Sequence, residues 1–96
     1  MGTFIALLDY TDQGIRNLQD SPQRADQFNK LAEKVGARVV AQYWTIGSHD
    51  GVLVLEAPND EVAASILLSL GQSGNVRTTT LRAFEWAEAQ GLIEGS

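Results

Sequence analysis

Hydrophobic positions fall along this chain in two kinds of run. Residues 3–8 (TFIALL) are apolar at almost every position and of strand length. A second strand-rich stretch covers residues 37–58. Val39, Val40, Tyr43, Trp44, Thr45 and Ile46 are β-branched or aromatic, and Val52 to Leu55 is a continuous apolar run. Between them, Gly47-Ser48-His49-Asp50-Gly51 carries the chemistry of a tight turn. Residues 76–84 (VRTTTLRAF) read as a further strand, polar and threonine-rich.

The other period is helical. Thr11 and Asp12 resemble a helix start, and Ile15 and Leu18 lie about one turn apart. Asp20-Ser21-Pro22 breaks this segment and begins a new one. From there Ala25, Phe28, Leu31, Ala32 and Val35 recur at helical spacing until Gly36. A second helix starts at Asn59, a natural cap, carries Val62, Ala63, Ile66, Leu67 and Leu70, and stops near Gly71. The tail, residues 85–96, has room for a short helix around 86–90. The order is β-α-β-β-α-β, so the expected fold class is α+β and ferredoxin-like, with an antiparallel four-stranded sheet and two helices on one face. Residues 1–84 form the domain and 85–96 the tail.

Centring the hairpin on His49 sets Trp44 opposite Val54 and Gln42 opposite Glu56. Val40, Gln42, Trp44, Ile46, Val52, Val54 and Glu56 then share one face, and Val39, Ala41, Tyr43, Thr45, Leu53 and Leu55 the other. A bulge near the turn would exchange the faces of one strand. The first and third strands are apolar on both faces, as central strands should be, while the threonine-rich fourth suits an edge. Two helices cover only one sheet face. The other needs a cover: a second copy, making a dimeric α+β barrel, or the tail with Trp86, Leu92 and Ile93 folded back.

Composition narrows the function classes. Ninety-six residues make one domain, able to bury roughly 60–70% of its unfolded surface. There is no cysteine, so neither a disulfide framework nor a thiolate metal site is expected, and one histidine cannot form a His cluster within one chain. A net charge of −5 argues against nucleic acid and against an acidic membrane surface. No run has the form of a signal peptide or reaches spanning length, which makes a cytoplasmic protein the expectation. No metal or cofactor is expected.

A set of ordered motifs adds to this. Residues 11–17 (TDQGIRN), 20–25 (DSPQRA), 47–50 (GSHD), 56–58 (EAP) and 74–84 (GNVRTTTLRAF), in this order and spacing, resemble the GYD domain family over residues 4–84. The family takes its name from a Gly-x-Tyr-Asp turn, and His49 stands here at the tyrosine position. The resemblance implies a small bacterial or archaeal protein of dimeric α+β-barrel type, with no established activity to carry over.

Candidate chemistry is sparse. His49 is the side chain that ordinarily titrates near neutrality, and Asp50 beside it can orient an imidazole for acid–base work. The plainer roles are a solvated turn residue for His49 and a turn cap for Asp50. Gln42, Trp44 and Glu56 share a face in the expected register, and Thr78, Thr80 and Arg82 alternate on the fourth strand, where they can join that face. Together they make a candidate ligand site, or equally an internal or inter-subunit polar contact. No phosphate-binding motif or nucleophile elbow is present. The reading favoured by the sequence is a homo-oligomer that binds a small molecule between sheet and helices or within the dimer. The alternatives are a cofactor-independent enzyme of oxygenase or isomerase type, or a structural or interaction subunit without ligand.

Overall fold

The structure, a computed structural model, describes residues 1–95; Ser96, the last residue of the tail, lies outside the described residues. The elements are β1 (Gly2–Tyr10), α1 (Asp12–Arg16), a 3₁₀ turn (Leu18–Asp20), α2 (Ser21–Lys34), β2 (Arg38–Trp44), β3 (Gly51–Ala57), α3 (Asp60–Gln72), β4 (Val76–Ala83) and α4 (Trp86–Glu94). The break before Pro22 is therefore real. The Thr11 hydroxyl caps α1 by accepting from the Gly14 N–H, and Asn59 caps α3 through the Val62 N–H.

The four strands form one antiparallel sheet in the order β2-β3-β1-β4. This is the α+β, ferredoxin-like arrangement, with the two apolar strands at the centre. α2 lies over β2, and α3 over β3 and β4, all on one face. Beneath them sits the core: Phe4, Ala6, Leu53, Leu55 and Ala57 from the sheet, Phe28 and Ala32 from α2, Ala63, Ile66 and Leu67 from α3. Removing a side chain the size of Leu53 or Leu55 from water contributes roughly 1.5–3 kcal/mol each.

The hairpin register corrects the expectation. Trp44 pairs with Gly51, Tyr43 with Val52, Gln42 with Leu53 and Ala41 with Val54, but Val39 pairs with Leu55. Val40 is the extra residue between the last two pairs. A bulge turns every later residue of the strand over. Val39 keeps its expected place on the leucine face. Beyond the bulge the order inverts: Gln42 and Trp44 join Leu53 under the helices, and Ala41 and Tyr43 turn outward.

The tail forms α4, longer than the short helix expected. It does not cover the sheet: Trp86 is 78% exposed and Ile93 73%. The outer face of the sheet thus presents Ile5, Leu7, Val52 and Val54 half-exposed, with Tyr43 and Leu81 exposed beside them.

Candidate functional site

At the end of the sheet that carries the β2–β3 turn, residues from the N-terminal half of α2 meet residues from the C-terminal end of α3 across the sheet. A cleft of about 230 Å³ opens between them. Its apolar surface comes from Leu8 and Leu53 of the central strands, Phe28 and Leu31 of α2, Leu70 of α3 and the Trp44 ring. Leu8, on a central strand, is only partly buried and lines the cleft.

One wall of the cleft is polar and hydrogen-bonded. The Trp44 indole Nε1–H donates to Ser21 Oγ at 3.0 Å, and Ser21 Oγ shares a hydrogen bond with the Tyr10 hydroxyl at 2.8 Å. Ser21 is 8% exposed and sits in the first turn of α2, so the helix start itself holds the hydroxyl against the sheet. Arg24, one turn on, lines the same cleft. Its Nη1 donates to the Asn17 carbonyl at 2.9 Å. Asp50 is also part of the lining, and its Oδ2 accepts the Tyr10 backbone N–H at 2.8 Å, tying the β2–β3 turn to the end of β1. That bond crosses between strands; it is not the local turn cap foreseen for Asp50.

At the rim, Asn75 and Ser73 are held by Gln13, whose Nε2 donates to Ser73 O and to Asn75 Oδ1. Gly14 is required here. A Cβ at Gly14 would stand 1.9 Å from the Asn75 carbonyl oxygen, so this approach of α1 to the β4 entry admits no side chain.

The residues expected to form one ligand site occupy separate places. Gln42 and Trp44 line the cleft. Glu56 is on the opposite face of the sheet, where its Oε1 meets Arg38 Nη2 at 2.6 Å. The bulge at Val40 causes this separation. Thr78, Thr80 and Arg82 pair with Leu8, Ala6 and Phe4 of β1, which puts them on the helix face but at the far edge of the sheet. Thr78 and Thr80 border a shallow groove with Phe4, Ala63, Leu67 and Leu68. The Arg82 guanidinium lies 4.4 Å from the Phe84 ring centre and 5.4 Å from that of Phe4, and it bonds to the Thr3 and Ala83 carbonyls.

His49 does meet a carboxylate, but that of Asp9, not Asp50. Its Nδ1 lies 3.2 Å from both Asp9 oxygens. Among the described residues, no hydroxyl is hydrogen-bonded to the His49 ring. Nor do the described residues hold a group of three or more His, Asp or Glu placed to bind a metal ion. No helix among them is long and apolar enough to cross a membrane.

Sequence reasoning passed over Tyr10, Phe28 and Arg24 as cleft residues, and took Ser21 only as a helix start. Three of them share a signal of spacing, since Ser21, Arg24 and Phe28 lie with Ala25 on one face of α2; Tyr10, at the end of β1, carries no such signal.

Comparison with known proteins agrees with this architecture. A protein of Thermus thermophilus, described as a glutamine synthetase and cystathionine beta-lyase binding protein, is 40% identical over 89 residues, 92% of this chain and 94% of that protein. The crystal structure of FFRP-DM1 superposes with a TM-score of 0.64 at 14% identity, covering 88% of this chain and 100% of the other. TTHA0845, also from Thermus thermophilus, superposes with a TM-score of 0.55 at 21% identity, over 88% of this chain and 95% of that one. These two share the fold. The model of the GYD domain matches residues 4–93, from near the start of β1 nearly to the end of α4, and the chain therefore belongs to the GYD domain family.

Proposed function

We propose that this protein is a homodimeric docking module that binds metabolic enzymes, glutamine synthetase and cystathionine β-lyase being the first to test. The observation that carries this reading is the Thermus thermophilus relative. It is described as a binding protein for those two enzymes, and its likeness to this chain runs through every element of the fold.

The dimer rests on the outer face of the sheet. Ile5, Leu7, Val52, Val54 and Leu81 form an apolar patch across three adjacent strands, and α2 and α3 both lie on the opposite side. A second copy brings an identical patch, and a two-fold interface is self-complementary. With that face closed, α4 remains available to an enzyme through Trp86 and Ile93, residue types suited to anchoring an interface. Purified protein should co-elute with glutamine synthetase or with cystathionine β-lyase in gel filtration, with a Kd in the micromolar range or tighter. Trp86→Ala should weaken that association. Failure to bind either enzyme would overturn the docking reading.

The cleft supports a second element, a small-molecule site. It combines an apolar floor with a few fixed polar groups, the usual make-up of a ligand pocket. Ligand and enzyme docking would then be properties of one module, as the sheet joins the two regions.

A further inference from the structure

We infer that the cleft between α2 and α3 takes a small monocarboxylate with a ring-sized apolar body. The inference rests on the reading of that cleft as a ligand site and names the chemical class of its occupant. Three features of the lining converge on it.

The first is size. A dry apolar cavity of about 150 Å³ admits benzene. At about 230 Å³, the cleft has room for a ring and a short substituent. Leu8, Phe28, Leu53, Leu70 and Trp44 provide the apolar contact surface for such a body.

The second is unspent donor capacity at one wall. A guanidinium has five N–H donors, and Arg24 uses one of them on the Asn17 carbonyl. Among the described residues, no carboxylate lies within ion-pair distance of Arg24. The Ser21–Tyr10 pair has a donor to spare as well. The two hydroxyls carry two hydrogens, and one of them lies in the bond between the two oxygens. Trp44 Nε1–H supplies a further donor to Ser21 Oγ, so that bond uses neither hydroxyl hydrogen. Whichever hydroxyl donates to the other, the second hydrogen has no partner among the described residues. A carboxylate accepts both that hydrogen and the Arg24 fork, and charge-assisted bonds of this kind are the strong ones.

The third is Asp50. Its carboxylate sits in the same lining, with Oδ2 held by the Tyr10 N–H. A second negative charge on the ligand would meet it in a partly desolvated space. The site therefore favours a single negative charge over a dicarboxylate or a phosphate ester.

The test uses phenylpropionate and its uncharged counterpart phenylpropanol. Calorimetry gives the affinities, and heteronuclear NMR of the full chain follows the Trp44 indole N–H, which reports on the cleft. Phenylpropionate should bind and shift the Trp44 indole signal, with phenylpropanol about tenfold weaker or more. Arg24→Gln should remove that preference and Arg24→Lys should keep most of it. An unchanged Trp44 signal in the free variants verifies the fold. Equal binding of acid and alcohol at Trp44 would overturn the carboxylate inference while leaving the ligand site in place. No shift of the Trp44 signal by either compound at millimolar concentration would overturn both.

Discussion

The two faces of the sheet are built from the same strands and have opposite fates. On the helix face, Leu53 and Leu55 of β3 are fully buried beneath α2 and α3. On the outer face, Val52 and Val54 of the same strand are only half-buried. The strand is apolar on both sides, yet the chain supplies a cover for one. The difference teaches that alternate residues of one strand carry the stability of the protomer and, in the proposed dimer, its assembly. Each can therefore be changed without the other.

The largest expected effect is on the helix face. Leu55→Ala leaves a cavity in the core beside its β1 partner Phe4, and should cost about 2–5 kcal/mol in urea unfolding. Its neighbour Val54 gives the contrasting outcome. Val54→Asp places a carboxylate on the outer face, twice in the proposed two-fold dimer, and should break that assembly through desolvated like charge. Light scattering should show a monomer, with the circular dichroism of the parent. A Val54→Asp protein that stays dimeric would show that the pairing uses another surface. One that unfolds would show that the two faces are not separable.

Most of the fold was legible in the sequence, and the reasons are local. Strand length, the Ser21-Pro22 restart, the Asn59 cap and the apolar character of β1 and β3 each depend on neighbours in the chain. The register of the hairpin depends on something else. A bulge at Val40 has no composition signal, since Val40 lies in an unbroken run of strand-forming residues. That one residue moved Gln42 and Trp44 off the face they were expected to share with Glu56 and into the cleft. The cleft was illegible for a related reason. Ser21 and Tyr10 are eleven residues apart and meet through the packing of α2 on the sheet, not through any motif. Arg24 was visible as a cation but not as one facing a cavity. The exposure of α4 was likewise open, because an amphipathic tail reads the same whether it folds back or stands away.

Intermediate effects come from the polar wall of the cleft. Ser21→Ala removes the acceptor of the Trp44 indole N–H and the partner of the Tyr10 hydroxyl, both in a partly buried setting. A loss of about 1–3 kcal/mol is expected, read from urea unfolding. A Ser21→Thr variant keeps the hydroxyl and should retain more of the stability. Gly14→Ala should cost about 1–3 kcal/mol for a different reason, since the new methyl must displace the Asn75 backbone at the cleft rim. The comparison between the two separates a lost hydrogen bond from a steric shift. Ser21→Ala should leave the amide NMR signals of residues 73–76 in place, and Gly14→Ala should move them.

The smallest effect belongs to the Arg38–Glu56 pair, and it sharpens the comparison between faces most finely. Arg38 Nη2 lies 2.6 Å from Glu56 Oε1, yet the arginine side chain is 67% exposed. In a free protomer the arginine end of the pair stands in water, while the Glu56 side chain is only 23% exposed; screening and the entropy of the long arginine side chain offset most of the attraction, leaving about 0–1 kcal/mol. Arg38→Gln should therefore barely shift the urea midpoint of a protomer made monomeric by Val54→Asp. In the parent protein the same substitution reads the assembly. If the second copy covers the outer face as proposed, Glu56 is desolvated at the rim of the interface and loses its partner there. The dimer dissociation constant should then rise by more than the change in protomer stability accounts for, as measured by sedimentation across a dilution series. Equal effects in the monomeric and parent backgrounds would place Glu56 outside the interface and limit the pairing surface to the strands on the other side of β3.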